Sequence, residues 1–577
     1  MKREVERLGA SELDLLVVGG GIFGACAAWD AALRGLSVGL VDRADFGGAT
    51  SANSFRFLHG GIRYLQHGDL IRLRQSSAAR RAFLRIAPHL TRPAPVAIPT
   101  FGFGRRGKMV LRAGMGLYDL LTLDRNRGIT EPSRRIPAAQ FLSHWETLAL
   151  FPALRDEPWL TGAAVYNDGQ MYDPARLTLA VVRSAAAASA AVANYVAVRR
   201  FLRSGDRVTG VEAEDTLTGG RFQIRAKITL NAAGPYAETL LRQGLGLDLD
   251  PPGAYSRDAC FVLKRDLLGV GCGLAIQGGS SDPDAKWSRG QRHLFLIPWR
   301  GVTIVGVWHT VFKGSPDQAR VSPEELEGFV REVQEACPDL GLKTSDISQW
   351  NAGLVPFGEN DPTAKDLRYG HRSRFIDHSK RHGLDGLLTL IGIRYTTGLV
   401  EATQAVDQVF HKLGRRPPPS EAERTPVCGG DLDGVWAAIG EASEACPWGA
   451  GRSAAEDLVR SYGSEWPRVV KLALESSSGP RRLDPERLLE GKTIFAIREE
   501  FAQKLVDIVL RRTGIAAVTA PSDAALELCA SAAAQELGWS ETKRREEVTE
   551  VQRLLAERSP WSRVAPAPSG VVVGEEQ

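Results

Sequence analysis

The chain has 577 residues, 43% of them hydrophobic and 24% charged, with 72 Lys plus Arg against 68 Asp plus Glu. That length holds several domains and a sizeable core, and the composition excludes a disordered tail or a fibre. A formal net charge of +4 excludes a nucleic-acid partner as the expectation. Seven cysteines, Cys26, Cys260, Cys272, Cys337, Cys428, Cys446 and Cys529, are scattered with no Cys-x-x-Cys pair. Neither a disulfide framework nor a metal site is expected, and reduced thiols in a cytoplasmic protein are. The N-terminus MKREVERLGASELD lacks the apolar run of a signal peptide, and no stretch reaches about 18 uncharged apolar residues.

Leu15 to Val18 is a short apolar run suited to a strand buried on both faces. It ends in Gly19-x-Gly21-x-x-Gly24, and a helical pattern follows through Leu33 to Gly35. A second apolar run, Leu36 to Val41, ends at Asp42, 18 residues after Gly24. Together these make one βαβ unit. Gly19 makes the tight turn, Gly21 lets the backbone approach a pyrophosphate, and Gly24 lets the helix pack on the sheet. The helix N-terminus offers N–H groups to phosphate, and Asp42 accepts from ribose hydroxyls. The unit therefore predicts dinucleotide binding, which the glycines alone leave open between FAD and NAD.

Further along, the alanine-rich stretch 185–197 reads as a helix running into a strand, and two more strand-turn-helix units follow. One carries Asn231-Ala232-Ala233-Gly234-Pro235, the other Gly392 before a helix over 398–413. Between them Ala259–Val262, Leu294–Pro298 and Val302–Val307 alternate as antiparallel strands, a substrate-side sheet inserted into the nucleotide-binding domain. The expected class is α/β, α+β overall. A Rossmann-like domain spans 1–414, with FAD-binding parts near 11–92, 160–250 and 376–414 and substrate parts near 93–159 and 251–375. A proline-stiffened linker over 415–430, a C-terminal helical domain over 431–565 and a loose tail over 566–577 complete the chain. In the C-terminal domain Ile497, Phe501, Leu505, Ile508 and Val509 predict one continuous apolar helix face, with Gly514 as its cap.

Residues 42–64 run from Asp42 through Asp45-Phe46, Thr50-Ser51 and Ser54 to His59-Gly60-Gly61-Ile62-Arg63-Tyr64. This run strongly resembles the FAD-dependent glycerol-3-phosphate dehydrogenases. The likeness continues through Arg85–Pro93, Tyr172–Leu177, Asn231–Pro235, Ile297-Pro298-Trp299 and Arg511-Arg512-Thr513, and so covers most of the chain. It implies FAD as cofactor, a glycerol 3-phosphate-like small-molecule substrate, and a cytoplasmic protein, peripheral on the membrane, that passes electrons to quinone or, in some relatives, oxygen. A homodimer is compatible with it. The cofactor-binding residues it implies are Gly19, Gly21, Gly24, Asp42, Thr50, Ser51, Ser54, His59, Gly60, Gly61, Gly234, Gly392 and Thr396. Thr50, Ser51 and Ser54 are short hydroxyl donors suited to the pyrophosphate, and Gly60-Gly61 lets backbone lie against a planar ring.

Arg63 and Tyr64 supply a cation and a phenol, the chemistry wanted for a phosphate monoester or an anionic reduced flavin. Several pocket positions depart from the family. Its G-S-H strand reads Asp258-Ala259-Cys260, its G-T-T-D reads Gly306-Val307-Trp308-His309, its G-V-R-P arginine is Leu354, and its G-G-K lysine is Arg394. The expected catalytic set is Arg63, Tyr64, Arg394 and, as substitute base, His309. Two alternatives stay open: a same-fold oxidoreductase acting on another hydroxylated or amino substrate, and a flavin-binding protein with little turnover. The segment 105–121, basic and then apolar, suits either a bilayer interface or a buried helix.

Overall fold

The computed structural model describes residues 1–102, 107–249, 255–281, 291–356, 373–446, 451–475 and 484–559. Arg105, Arg106 and the expected tail over 566–577 lie outside them. The strand Leu13–Val18 is buried along its whole length and sits between Val38–Val41 and Arg221–Asn231, both parallel to it. Leu387–Ile391 extends the parallel run past Arg221–Asn231, and Ala191–Ala193 extends it past Val38–Val41. Strands buried on both faces need covers. The helix Ile22–Leu33 packs against Pro174–Ala187 and Gly398–Lys412 on one face, and its Trp29 is buried in the same core cluster as residues of both.

The second sheet is mostly antiparallel, and Tyr255–Leu263 lies in it between Val302–Phe312 and Ile347–Pro356. One boundary shifts from the sequence reading. The strand Leu160–Met171, expected in the nucleotide-binding half, pairs antiparallel with Thr91–Phe101 and belongs to this second sheet. Residues 160–171, a mixture of apolar and polar side chains, carry no local mark of the sheet that takes them.

Two other expectations change. The stretch 415–430 is no free tether: Ser420 donates to Asp30 at 2.5 Å, Val427 N–H donates to the Ile86 carbonyl at 3.0 Å, and Ala422 is fully buried. The continuous helix face expected over 497–509 is broken. Pro485–Glu499 ends there, Phe501 takes a left-handed φ of +59°, and a short helical segment resumes at Leu505. The break lets Glu500 turn inward to Arg176, whose guanidinium it meets at 2.7 Å. Buried charge pairing outweighs helix propensity here. Gly514 does take a left-handed φ, +72°.

Trp29→Ala would empty the layer between the three helices. The expected loss is about 3–5 kcal/mol of unfolding free energy by denaturant titration, as for other buried aromatic deletions.

Candidate functional site

The turn after Leu13–Val18 is as tight as its glycines require. Gly19 has φ +109°, and a Cβ there would meet the Ala232 carbonyl oxygen at 2.6 Å. A Cβ on Gly24 would lie 1.9 Å from the Gly19 carbonyl oxygen, so helix and strand touch through this residue. At the end of the second parallel strand, Asp42 accepts from Gly20 N–H at 2.7 Å and Ala44 N–H at 2.9 Å. Burial pushes its carboxyl up to about 6.

A cavity of about 970 Å³ opens from this turn. Gly21 and Ser51 line it at the helix N-terminus, where Ser51 Oγ accepts from Ile22 N–H at 3.0 Å. Asp42 and the segment Tyr195–Val198 line one end, and Gly392–Thr396 with His59–Tyr64 line the other, apart from Gly60. The second sheet contributes Asp258, Cys260, His309 and Leu354 to the lining, with Gly353 and Leu354 packed against Thr50. His309 and Asp258 face each other across paired strands, with Nδ1 2.7 Å from Oδ1, and Ser256 Oγ donates to the same carboxylate oxygen at 2.6 Å. Burial raises the Cys260 thiol to about 11, so this sulfur is a poor base or nucleophile at neutral pH. Arg394 and Arg72 lie 5.0 and 5.4 Å from the Tyr64 ring centroid, and both line the cavity with Arg63.

The chain matches the family model for FAD-dependent oxidoreductases over residues 14–393 and that for the C-terminal domain of alpha-glycerophosphate oxidase over 420–544. Glycerol-3-phosphate dehydrogenase of Synechocystis sp. is 31% identical over 88% of this chain and 89% of its own. The mitochondrial glycerol-3-phosphate dehydrogenase of Macaca fascicularis is 29% identical over 94% of this chain and 73% of its own. The X-ray structure of glycerol-3-phosphate dehydrogenase from Bacillus halodurans complexed with FAD superposes with a TM-score of 0.73 at 25% identity, covering 97% of this chain and 98% of the other. The chain belongs to the FAD-dependent glycerol-3-phosphate dehydrogenase family.

The cofactor of this family member is FAD, and the residues fit it. The cavity's lining runs from Asp42, the acid at the end of the second parallel strand, to the Gly392 turn. Ser54 Oγ, buried on its wall, has no hydrogen-bond partner within the protein. Such an orphan donor beside a glycine turn and helix N-terminus suits an oxygen-rich ligand. Among the residues singled out from sequence, all but Gly24 and Gly60 line the cavity.

Gly24 acts through helix packing. Gly60 faces the protein, since a Cβ there would meet Arg80 at 2.1 Å and Tyr118 at 2.2 Å. The expected contact of Gly60 with a planar ring is thus corrected: close protein packing demands the glycine. Gly392 owes its identity to the Phe23 ring, 1.9 Å from a Cβ built there.

Thr50 is also committed to protein: its hydroxyl donates to the Leu354 carbonyl at 2.8 Å and accepts from Leu354 N–H at 3.2 Å, tying the two sheets together. Thr396 Oγ1 accepts from His59 N–H at 2.9 Å.

Sequence reasoning missed Asp168, which holds Gly60 N–H at 2.5 Å and Arg80 at 2.7 Å beneath the motif, and lines the cavity. It also missed Asp258 as a partner of His309. Neither carries a sequence signal, because strand pairing brings His309 to Asp258, and helix-on-sheet packing brings Arg80 to Asp168.

Two outcomes are expected. Gly21→Val, whose side chain enters the cavity, yields folded but colourless protein. FAD affinity, from fluorescence titration, is expected to fall about tenfold per pH unit below 6 if Asp42 accepts from ribose as the sequence reading expects, since protonation removes an acceptor there. The sign reverses for the ligand-free chain. A raised folded-state value means Asp42 stabilises at low pH and ceases to do so as pH rises from about 4 through 6.

Proposed function

We propose that the protein oxidises sn-glycerol 3-phosphate to dihydroxyacetone phosphate and delivers the electrons to a membrane quinone. The carrying observation is that one cavity is lined both by three arginines, Arg63, Arg72 and Arg394, two of them beside the Tyr64 ring, and by a His–Asp pair from the second sheet. The family kinship supports the substrate, since the relatives named above carry that activity in their names. Bound FAD supplies the acceptor for the hydride leaving the carbinol carbon.

The chain's residues do the rest. Arg63, Arg72 and Arg394 hold the phosphate dianion, which a planar guanidinium grips in two places. Tyr64 donates to a substrate oxygen. His309 takes the hydroxyl proton: Asp258 at Nδ1 fixes the proton there and leaves Nε2 as the accepting nitrogen. Asp258 is thus a positioning residue for the base.

Quinone access is supported by an apolar surface. On the helix Lys108–Leu121 the buried Tyr118 hydroxyl donates to the Gly60 carbonyl at 3.1 Å, whereas Met109, Leu117 and Leu120 are exposed. Leu123, Leu70 and Ile71 continue that exposed face, joined where Arg74 donates to the Leu121 carbonyl at 2.7 Å. No helix of the described residues is long and apolar enough to cross a membrane. A peripheral seat through this face brings a lipid-dissolved acceptor to the flavin side of the molecule.

Leu354 keeps a second reading alive, in which a different hydroxylated or amino substrate is used, because this buried side chain offers nothing to a dianion.

Mixing holoprotein with glycerol 3-phosphate without air should bleach the visible flavin band within seconds. Bleaching by a non-phosphorylated alcohol or an amino acid, and not by glycerol 3-phosphate, would replace the first reading with the second. Under the first, Leu354→Arg lowers KM about tenfold or more by adding a phosphate ligand. Asp258→Asn lowers kcat about a hundredfold and shifts its pH profile with little change in KM.

A further inference from the structure

The C-terminal helices reach the cofactor loop through buried side chains. Asp45, three residues beyond Asp42, takes Arg512 at 2.7 and 2.8 Å and Arg511 Nε at 2.5 Å. Burial alone would raise the Asp45 pKa, but the two guanidiniums override it and hold the carboxyl far below its ordinary value. Asn194 Nδ2 donates at 3.0 Å both to this carboxylate and to the Phe501 carbonyl. The Phe501 ring meets Phe46 edge-on at 5.8 Å, and Phe46 covers Gly20, where a Cβ would lie 2.3 Å from its ring. Tyr195, on the cavity wall beside Asp42, donates to Asp507 at 2.6 Å.

The same C-terminal segment forms wall as well as support. Lys504, Arg511 and Lys543 line the cavity, with Glu546, Glu550 and Leu554. Lys504 Nζ lies 4.9 Å from the Tyr195 ring centroid.

We propose that the C-terminal helical domain is part of the FAD site: it closes the adenosine half of the cavity with Lys504 and Arg511, and it fixes the loop from Asp42 to Ser51 through Asp45. The adenosine half is placed at this end by Asp42, whose carboxylate suits ribose hydroxyls, and by Tyr195–Val198 alongside it. Arg511 is already paired with Asp45 and, at 2.7 Å, with Asp507, so Lys504 is the cation whose charge acts on a ligand carrying two phosphates. The Asp45 network has the character of a positioning device. A buried ion pair adds little net stability over a hydrophobic substitute but fixes one geometry, and a loop held in its binding form spares the ligand that ordering cost. The competing role is plain interdomain adhesion, under which flavin affinity follows fold stability and nothing else.

Flavin release on diluting the full-length holoenzyme, followed by fluorescence and repeated with ADP as competitor, separates the two. Lys504→Glu is expected to weaken FAD about tenfold at low ionic strength and less at high salt, with ADP weakened by the same factor, because ADP carries only the adenosine half. Arg511→Met is expected to weaken FAD by more than tenfold, since it frees one side of Asp45.

Val469→Ala serves as control. Val469 is fully buried in the C-terminal core and away from the cavity, so this change lowers Tm and leaves FAD affinity at the wild-type value. The proposal is overturned if Lys504→Glu keeps wild-type affinity for both FAD and ADP, or if Val469→Ala weakens FAD as much as Arg511→Met does.

Discussion

The approach of helix Ile22–Leu33 to strand Leu13–Val18 sets everything else in this molecule. At Gly24 the helix backbone comes so near the Gly19 carbonyl that a single methyl group would occupy the space of that oxygen. That contact aims the free N–H groups of the helix into the cavity and places Asp42, one strand over, where it accepts from the turn itself. The remaining parallel strands extend the platform, and each contributes a loop at the same edge: Ala232–Gly234 from one, Gly392–Thr396 from another. This is how an open parallel sheet makes a site at the ends of its strands.

The second sheet closes the opposite side and carries Cys260, His309 and Leu354, three of the positions where the sequence reading departs from the resembled pattern; the fourth, Arg394, follows a strand of the first sheet. Its strands bring Asp258 and His309 into register, and they present Leu354, whose backbone is clasped by the Thr50 hydroxyl. The loop carrying Thr50 and the second-sheet strand are therefore one mechanical unit, and a change of side chain at 354 leaves their joint intact because residue 354 contributes only backbone atoms to it. That arrangement lets a pocket change its specificity while the cofactor machinery stays fixed.

Charge does the joining between the halves of the chain. Arg176 with Glu500, Arg183 with Glu465, and Asp45 with Arg511 and Arg512 are all buried or nearly so, and each spans hundreds of residues of sequence. Such pairs demand partners in place, because an unpaired buried charge is far more costly than the pair is stabilising. They explain why the helix expected over 497–509 breaks: Glu500 and Phe501 have tertiary partners that a straight helix would carry elsewhere.

From the chain alone one could read the βαβ unit, the dinucleotide turn, the acid at 42 and the run from Thr50 to Tyr64, because local spacing and short-range backbone demands dictate them. The antiparallel segments near 259, 294 and 302 were legible for the same reason. Folding in three dimensions decided what local rules do not encode. It set which sheet takes Leu160–Met171, that Gly60 is small because Arg80 and Tyr118 crowd it, and that Thr50 bonds to residue 354. It also made Asp258 the neighbour of His309 and brought Arg511 and Arg512 to Asp45. Each of these rests on a contact between residues far apart in sequence, and such contacts are settled by packing and by the pairing of buried charges, neither of which leaves a periodic mark on the chain.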